Sequence, residues 1–153
     1  MEVNGNREKE IELLRRSLQI GVGSAAFLAG LDKFTNLLAD WEKYLSPRAA
    51  EVLPVSGKTF MKLVGVIEMA VGLGVLSGKF TKVSSYIASA WLAAISGNLV
   101  THPDKYHDVA VRDMEMALEA FVLARLTDIR ESRGQLDVGS GKLLEERYPG
   151  QAA

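Results

Sequence analysis

Val83–Thr101 runs nineteen residues without a formal charge, and no other stretch constrains the fold as tightly. Tyr86, Ile87, Ala88, Ala90, Trp91, Leu92, Ala93, Ala94 and Ile95 go all the way round a helix of about 3.6 residues per turn. A helix apolar on every side is either the centre of a large core or a membrane span. A chain of 153 residues is one ordinary domain, with little room to enclose such a helix. The stretch therefore reads as a span.

Three further blocks share this character. Ser17–Leu31 carries no charge, Leu63–Gly78 is interrupted only by Glu68, and Val109–Leu126 holds Arg112, Asp113, Glu115, Glu119 and Arg125. All are too long for strands and rich in Ala, Leu, Met and Gly, which predicts helices. Spanning needs about 20 mostly apolar residues, with about 17 tolerable. The reading is an all-α, four-helix transmembrane bundle with spans near 17–34, 59–78, 83–101 and 109–127. Residues 1–16 form a polar N-terminal segment, and 130–153 form a flexible tail. Gly21, Gly23 and Gly30, and then Gly65, Gly72 and Gly74, are placed as close helix packing in lipid requires. A soluble four-helix bundle acting as an interaction module is the rival architecture.

The mean hydropathy of +0.08 conceals this pattern, because charged rims and nearly charge-free blocks average out. With 18 Lys and Arg against 19 Asp and Glu, the chain offers no basic field to nucleic acid. It contains no cysteine, which removes disulfides, thiolate nucleophiles and Cys-ligated metals. His102 and His107 share one short loop with Asp104 and Asp108, and no third histidine exists to complete a site. No metal centre is expected.

Orientation follows from Lys and Arg beside the span ends. Arg15, Arg16, Lys79, Lys82, Arg125, Arg130 and Arg133 lie on one side with few acids, which puts both termini in the cytoplasm. Arg15-Arg16 before an apolar run also resembles a twin-arginine export signal. Two arginines anchoring a first span is the preferred reading, since the chain that follows is itself membranous. Between spans one and two, Leu37, Leu38, Trp41, Tyr44 and Leu45 fall on one helical face, and Ser46-Pro47 ends it and caps a second short helix. This predicts a short interfacial helix, with Trp41 and Tyr44 as anchors at the headgroups.

Glu68 is the sharpest functional candidate. Counted from Thr59 it lies about 13 Å deep at about 1.5 Å per residue, on the face of Gly65 and Gly72. An ionisable residue at such depth is costly and marks a site by default. Its readings are proton handling, a hydrogen bond to a quinone-like headgroup, or a buried carboxyl that joins helices. Glu115 and Glu119 stand one turn apart on the fourth helix, with Arg112 on the same stripe. Together with Glu68 they read as a proton path, or else as contacts with a partner subunit. Asp32, Lys33, Arg112 and Asp113 fall at the outer ends of spans one and four, where they predict a crossed ion-pair cluster.

Four segments stand out together: Ala29-Gly30-Leu31-Asp32-Lys33-Phe34, Trp41-Glu42-Lys43-Tyr44-Leu45-Ser46-Pro47, Gly65-Val66-Ile67-Glu68 with Gly72-Leu73, and Asp108-Val109-Ala110-Val111-Arg112-Asp113 leading to Leu118–Leu126. In combination they resemble the DoxX-like family of small membrane proteins. The resemblance covers roughly residues 16–126. It implies a four-helix protein of the bacterial inner membrane, an accessory or assembly subunit of a quinone-linked redox complex. Some relatives are associated with thiol chemistry, which this cysteine-free chain does not perform with its own side chains. The expected role is non-catalytic, with membrane lipids and a membrane protein complex or homo-oligomer as partners. No cofactor is expected, a quinone or lipid being the candidate for any bound molecule. An autonomous quinone or lipophile binder using Glu68 is the alternative.

Overall fold

The computed structural model describes residues 2–102 and 106–147, and every regular element among them is helical. In chain order these are α1 (Glu2–Thr35), a one-turn 3-10 helix (Trp41–Tyr44), α2 (Pro47–Val52), α3 (Gly57–Leu76), α4 (Thr81–Val100) and α5 (His107–Arg147). The all-α expectation holds. By length and composition, α3 and α4 are the two helices among the described residues apolar enough to cross a membrane.

The helix ends follow local chemistry. Ser56 caps α3, its hydroxyl accepting from the Thr59 amide at 3.3 Å. Between α3 and α4, Gly78 takes the left-handed conformation (φ +76) that a side chain disfavours. Ser77 completes that turn, donating to the Gly74 carbonyl and accepting from the Phe80 amide. At the end of α1, Asn36 adopts a positive φ of 48, a conformation asparagine tolerates.

Both ends of the described chain are helical. α1 starts at Glu2 and passes through the polar segment 1–16 without a break. Arg15 and Arg16 each pair with Glu12 one turn earlier, at 2.8 and 2.9 Å. Likewise the tail from residue 130 is helical as far as Arg147. Lys82 at the start of α4 pairs with both Asp128 and Glu131, anchoring α5 where it leaves the bundle. The rest of that expected tail, 148–153, lies outside the described residues.

The interfacial helix expected over 37–45 is shorter than its apolar face suggests. Leu37 and Leu38 lie in an irregular stretch, and only Trp41–Tyr44 winds, as a single 3-10 turn, before α2. The Asp32 carboxylate binds the amides of Leu37, Leu38 and Ala39, and so holds these residues out of a helix.

The four long helices form an up-and-down bundle in which α1 packs on α3 and α4 on α5, with α3 beside α4 and α5 beside α1. Glycines set the α1–α3 contact. A Cβ added to Gly30 would stand 2.5 Å from the Gly65 carbonyl oxygen, and one on Gly72 2.7 Å from that of Gly23. The backbones therefore touch directly at two levels seven residues apart. At one end of the bundle, Gln19 donates to the Val75 carbonyl at 2.8 Å and to the Thr81 hydroxyl at 3.0 Å.

Small side chains fill the interior: Ala88, Ala117, Ala120 and Ala124 are buried, with Val22, Val75, Leu99 and Leu123 as the larger members. Many of the larger apolar residues face outward instead, among them Leu28, Leu63, Val66, Leu73, Ile87, Leu118 and Phe121.

Candidate functional site

Lys33 and Glu68 meet inside the bundle. Lys33 Nζ donates to Glu68 Oε2 at 2.5 Å, and both side chains are at most a tenth exposed. The glycine contact creates this geometry, since a Cβ at Gly30 would lie 3.0 Å from Glu68 Cβ, and one at Gly65 3.1 Å from Lys33 Cβ. With the backbones this close, a lysine near the end of α1 reaches a carboxylate in the middle of α3. The ammonium also lies over the Trp41 ring, 3.7 Å from its centroid, which adds a cation–π contact in a partly desolvated setting. Asp113 of α5 is half-buried and within electrostatic range of Lys33, Glu68 and Arg112.

Asp32 does something other than pair with a cation. Its carboxylate accepts from three backbone amides, from the Thr35 hydroxyl at 2.8 Å and from Trp41 Nε1 at 2.9 Å. It thereby pins Trp41 over Lys33. The expected crossed cluster is thus rearranged: Lys33 and Asp113 come into one neighbourhood with Glu68, Asp32 organises the adjoining loop, and Arg112 is exposed. The physical reason is spacing, because adjacent residues Asp32 and Lys33 project about 100° apart on a helix.

Glu115 and Glu119 are exposed, whereas Ala110, Ala117, Ala120 and Ala124 form the buried stripe of α5. The structure does not bring these carboxylates into the interior beside Glu68. Trp41 and Tyr44 are only partly exposed and pack on each other edge to face at 6.0 Å, with Tyr44 also against Tyr106 at 5.0 Å. Asn98 of α4 donates to the Tyr44 carbonyl at 3.3 Å, tying the short helical turn to the bundle. His102 is buried against the Tyr106 ring, while His107 and Asp108 are exposed at the start of α5; Asp104 lies outside the described residues.

A cavity of about 50 Å3 lies between the helices near their middles. Ala25, Ala26 and Ala29 of α1, Glu68 of α3, and Ala88 and Trp91 of α4 contribute to its wall. The Trp91 indole Nε1 is buried and has no hydrogen-bond partner among the described residues.

Sequence reasoning missed the Lys33–Glu68 pair, because it placed the lysine with residues at its own end of the bundle. The glycines at 30 and 65 carried the signal, since they imply the approach that brings the two together. It also missed Trp91, which counted only as part of an apolar surface, although the indole carries a donor. Comparison of the chain with protein-family models, with curated proteins and with solved structures finds no match.

Proposed function

We propose that this chain is a four-span, DoxX-like protein of the bacterial inner membrane with both termini in the cytoplasm. In this reading it is a non-catalytic accessory or assembly subunit of a quinone-linked membrane redox complex, in contact with lipid and with partner proteins or further copies of itself. The observation that carries its membrane placement is the distribution of side-chain size: Ala, Gly, Ser and Thr fill much of the interior while Leu, Ile, Val and Phe face out. In water that arrangement is unfavourable, since the apolar area left exposed is the area burial would reward. In lipid it is favourable, because close packing of small residues drives helix association there. The subunit role rests on the segments that resemble the family, and the internal pairing of Glu68 supports a structural use of that carboxyl.

The test is fractionation followed by purification. The expressed chain is expected to stay in the membrane pellet after an alkaline wash, and to bring a redox enzyme with it when extracted in mild detergent. Release by the wash supports the soluble interaction module and refutes the membrane reading. Purification of the chain alone removes the subunit role.

The cavity favours a second reading, an autonomous binder of a small lipophile with Glu68 in the wall of its site.

A further inference from the structure

We propose that the central cavity takes the hydroxyl end of a slim aliphatic alcohol, and that Glu68 Oε1 accepts its hydrogen bond. This ligand specifies the lipophile-binding reading and rests on it.

The wall holds a free acceptor. Glu68 is 8% exposed and lines the cavity, and its Oε2 is engaged by Lys33. Oε1 takes no hydrogen bond among the described residues, yet it is not closed off. The buried side-chain atoms there that are both closed off and without a partner are Ser85 Oγ and Trp91 Nε1. Lys33 stands one turn beyond Ala29, the last wall residue of α1, so the Glu68 carboxyl group lies between the ammonium and the cavity. With Oε2 drawn to the ammonium, Oε1 is the oxygen left on the cavity side. A carboxylate held by an ammonium accepts and does not donate, so the occupant brings a donor.

Size and the apolar wall set the rest of the ligand. At about 50 Å3 the space has room for water, but an ordered water needs about two to four polar partners. Apart from Glu68 and Trp91 the wall side chains are aliphatic, with the thioether of Met116, and Trp91 Nε1 is closed off. Water is therefore poorly satisfied there. The space also falls well below the roughly 150 Å3 that admits benzene in an engineered cavity, so a quinone ring does not enter. A quinone would moreover bring acceptors to an acceptor. An alkylammonium brings a donor, but Lys33 already neutralises Glu68, and a further buried charge without its own partner is costly. A primary alcohol brings one neutral donor, and its first methylenes fill the gap that Ala25, Ala26, Ala29 and Ala88 leave open. Filling such a gap recovers packing energy.

Access comes from the side. Ile67 belongs both to the cavity wall and to the outer surface of α3, where it is 46% exposed. The chain end enters past this side chain, and the remainder of the molecule stays outside the bundle.

The test uses the full chain in detergent micelles with 13C-methyl-labelled methionine, titrated separately with 1-nonanol, nonane and 2-nonanone. Met116 stands in the cavity wall, and the exposed Met114 reports non-specific effects of each probe on the micelle. The expected result is a saturable shift of the Met116 methyl resonance, with alcohol affinity about ten- to a hundredfold above that of nonane and of the ketone. Lys33→Met/Glu68→Leu, which removes the acceptor together with its partner, should lower alcohol affinity to the nonane level, and Ala88→Leu should abolish binding of all three. Equal affinity for alcohol and nonane, or a ketone that matches the alcohol, overturns the hydroxyl inference and leaves lipophile binding standing. An alcohol preference that survives in the double variant likewise overturns the assignment to Glu68. If no probe moves Met116, the cavity takes no lipophile, and both readings fall. The three probes are compared in the wild-type chain, so that outcome does not depend on any variant folding.

Discussion

Lys33 Nζ and Glu68 Oε2 lie 2.5 Å apart inside the helix bundle, joining the end of α1 to the middle of α3. Removing one member of a buried pair strands the other charge, at a cost of about 3–5 kcal/mol, whereas replacing both by apolar groups is often neutral. Glu68→Gln and Lys33→Met are each expected to lower the unfolding midpoint in detergent markedly, and Lys33→Met/Glu68→Leu to recover most of the loss. A double variant as unstable as the sum of the single ones would show that the pair is not the source.

The α1–α3 backbone contact makes a second prediction. Gly30→Ala and Gly65→Ala each place a methyl group 2.5–2.6 Å from a facing carbonyl oxygen, which only helix separation relieves. The expected loss is about 1–3 kcal/mol, the usual cost of overpacking. Gly97→Ala, with nothing within 4 Å of its new methyl, is the matched control and should be neutral or slightly stabilising. Unfolding curves of the three variants decide the matter.

Asp32 holds the stretch after α1 through several hydrogen bonds and fixes the Trp41 indole. Asp32→Ala removes the acceptor that these partly buried donors share, at about 0.5–1.5 kcal/mol for each hydrogen bond lost. Trp41 fluorescence should shift and broaden in this variant while helix content by circular dichroism changes little. An unchanged emission spectrum would contradict the assigned role.

Acid sensitivity is expected at the other end of α1. The hydrogen bond from Arg15, against some opposing effect of burial and with help from Arg16 and Arg130, holds the Glu12 carboxyl down to about 2 from its ordinary 4.5. A group lowered on folding stabilises the fold above its unfolded value and loses that contribution as pH falls through the folded one. The difference in melting temperature between wild type and Glu12→Gln should therefore be full at neutral pH and shrink between about 4.5 and about 2. A constant difference across that range refutes the assignment.

Glu115 and Glu119 are exposed on the outer side of α5. Replacing both by Gln should leave the unfolding midpoint within about 0.5 kcal/mol of wild type, as for surface substitutions generally. Loss of a co-purifying partner in that variant, with stability intact, would assign the two carboxylates to a subunit contact.

Much of the architecture was legible along the chain. The charge-free block at 83–101 corresponds to α4, Leu63–Gly78 to the greater part of α3, and the glycines at 23, 30, 65 and 72 do mark a close helix contact. The extent of α1 and α5 was not legible, because both continue through charged segments whose composition resembles that of loops. Pairs such as Arg15–Glu12 and Lys82–Asp128 keep those segments helical or tie them to a neighbour.

The sequence by itself determined that the chain is helical, that two of its described helices are long and apolar enough to cross a membrane, and that cysteine chemistry is closed to it. These follow from periodicity and composition, which act locally. Tertiary structure alone decided which charge meets Glu68, why Asp32 turns to the backbone, and where an indole N–H is left without a partner among the described residues. Each of those depends on how two helices are rotated and how closely they approach, and glycine contacts between residues far apart in the chain set both quantities.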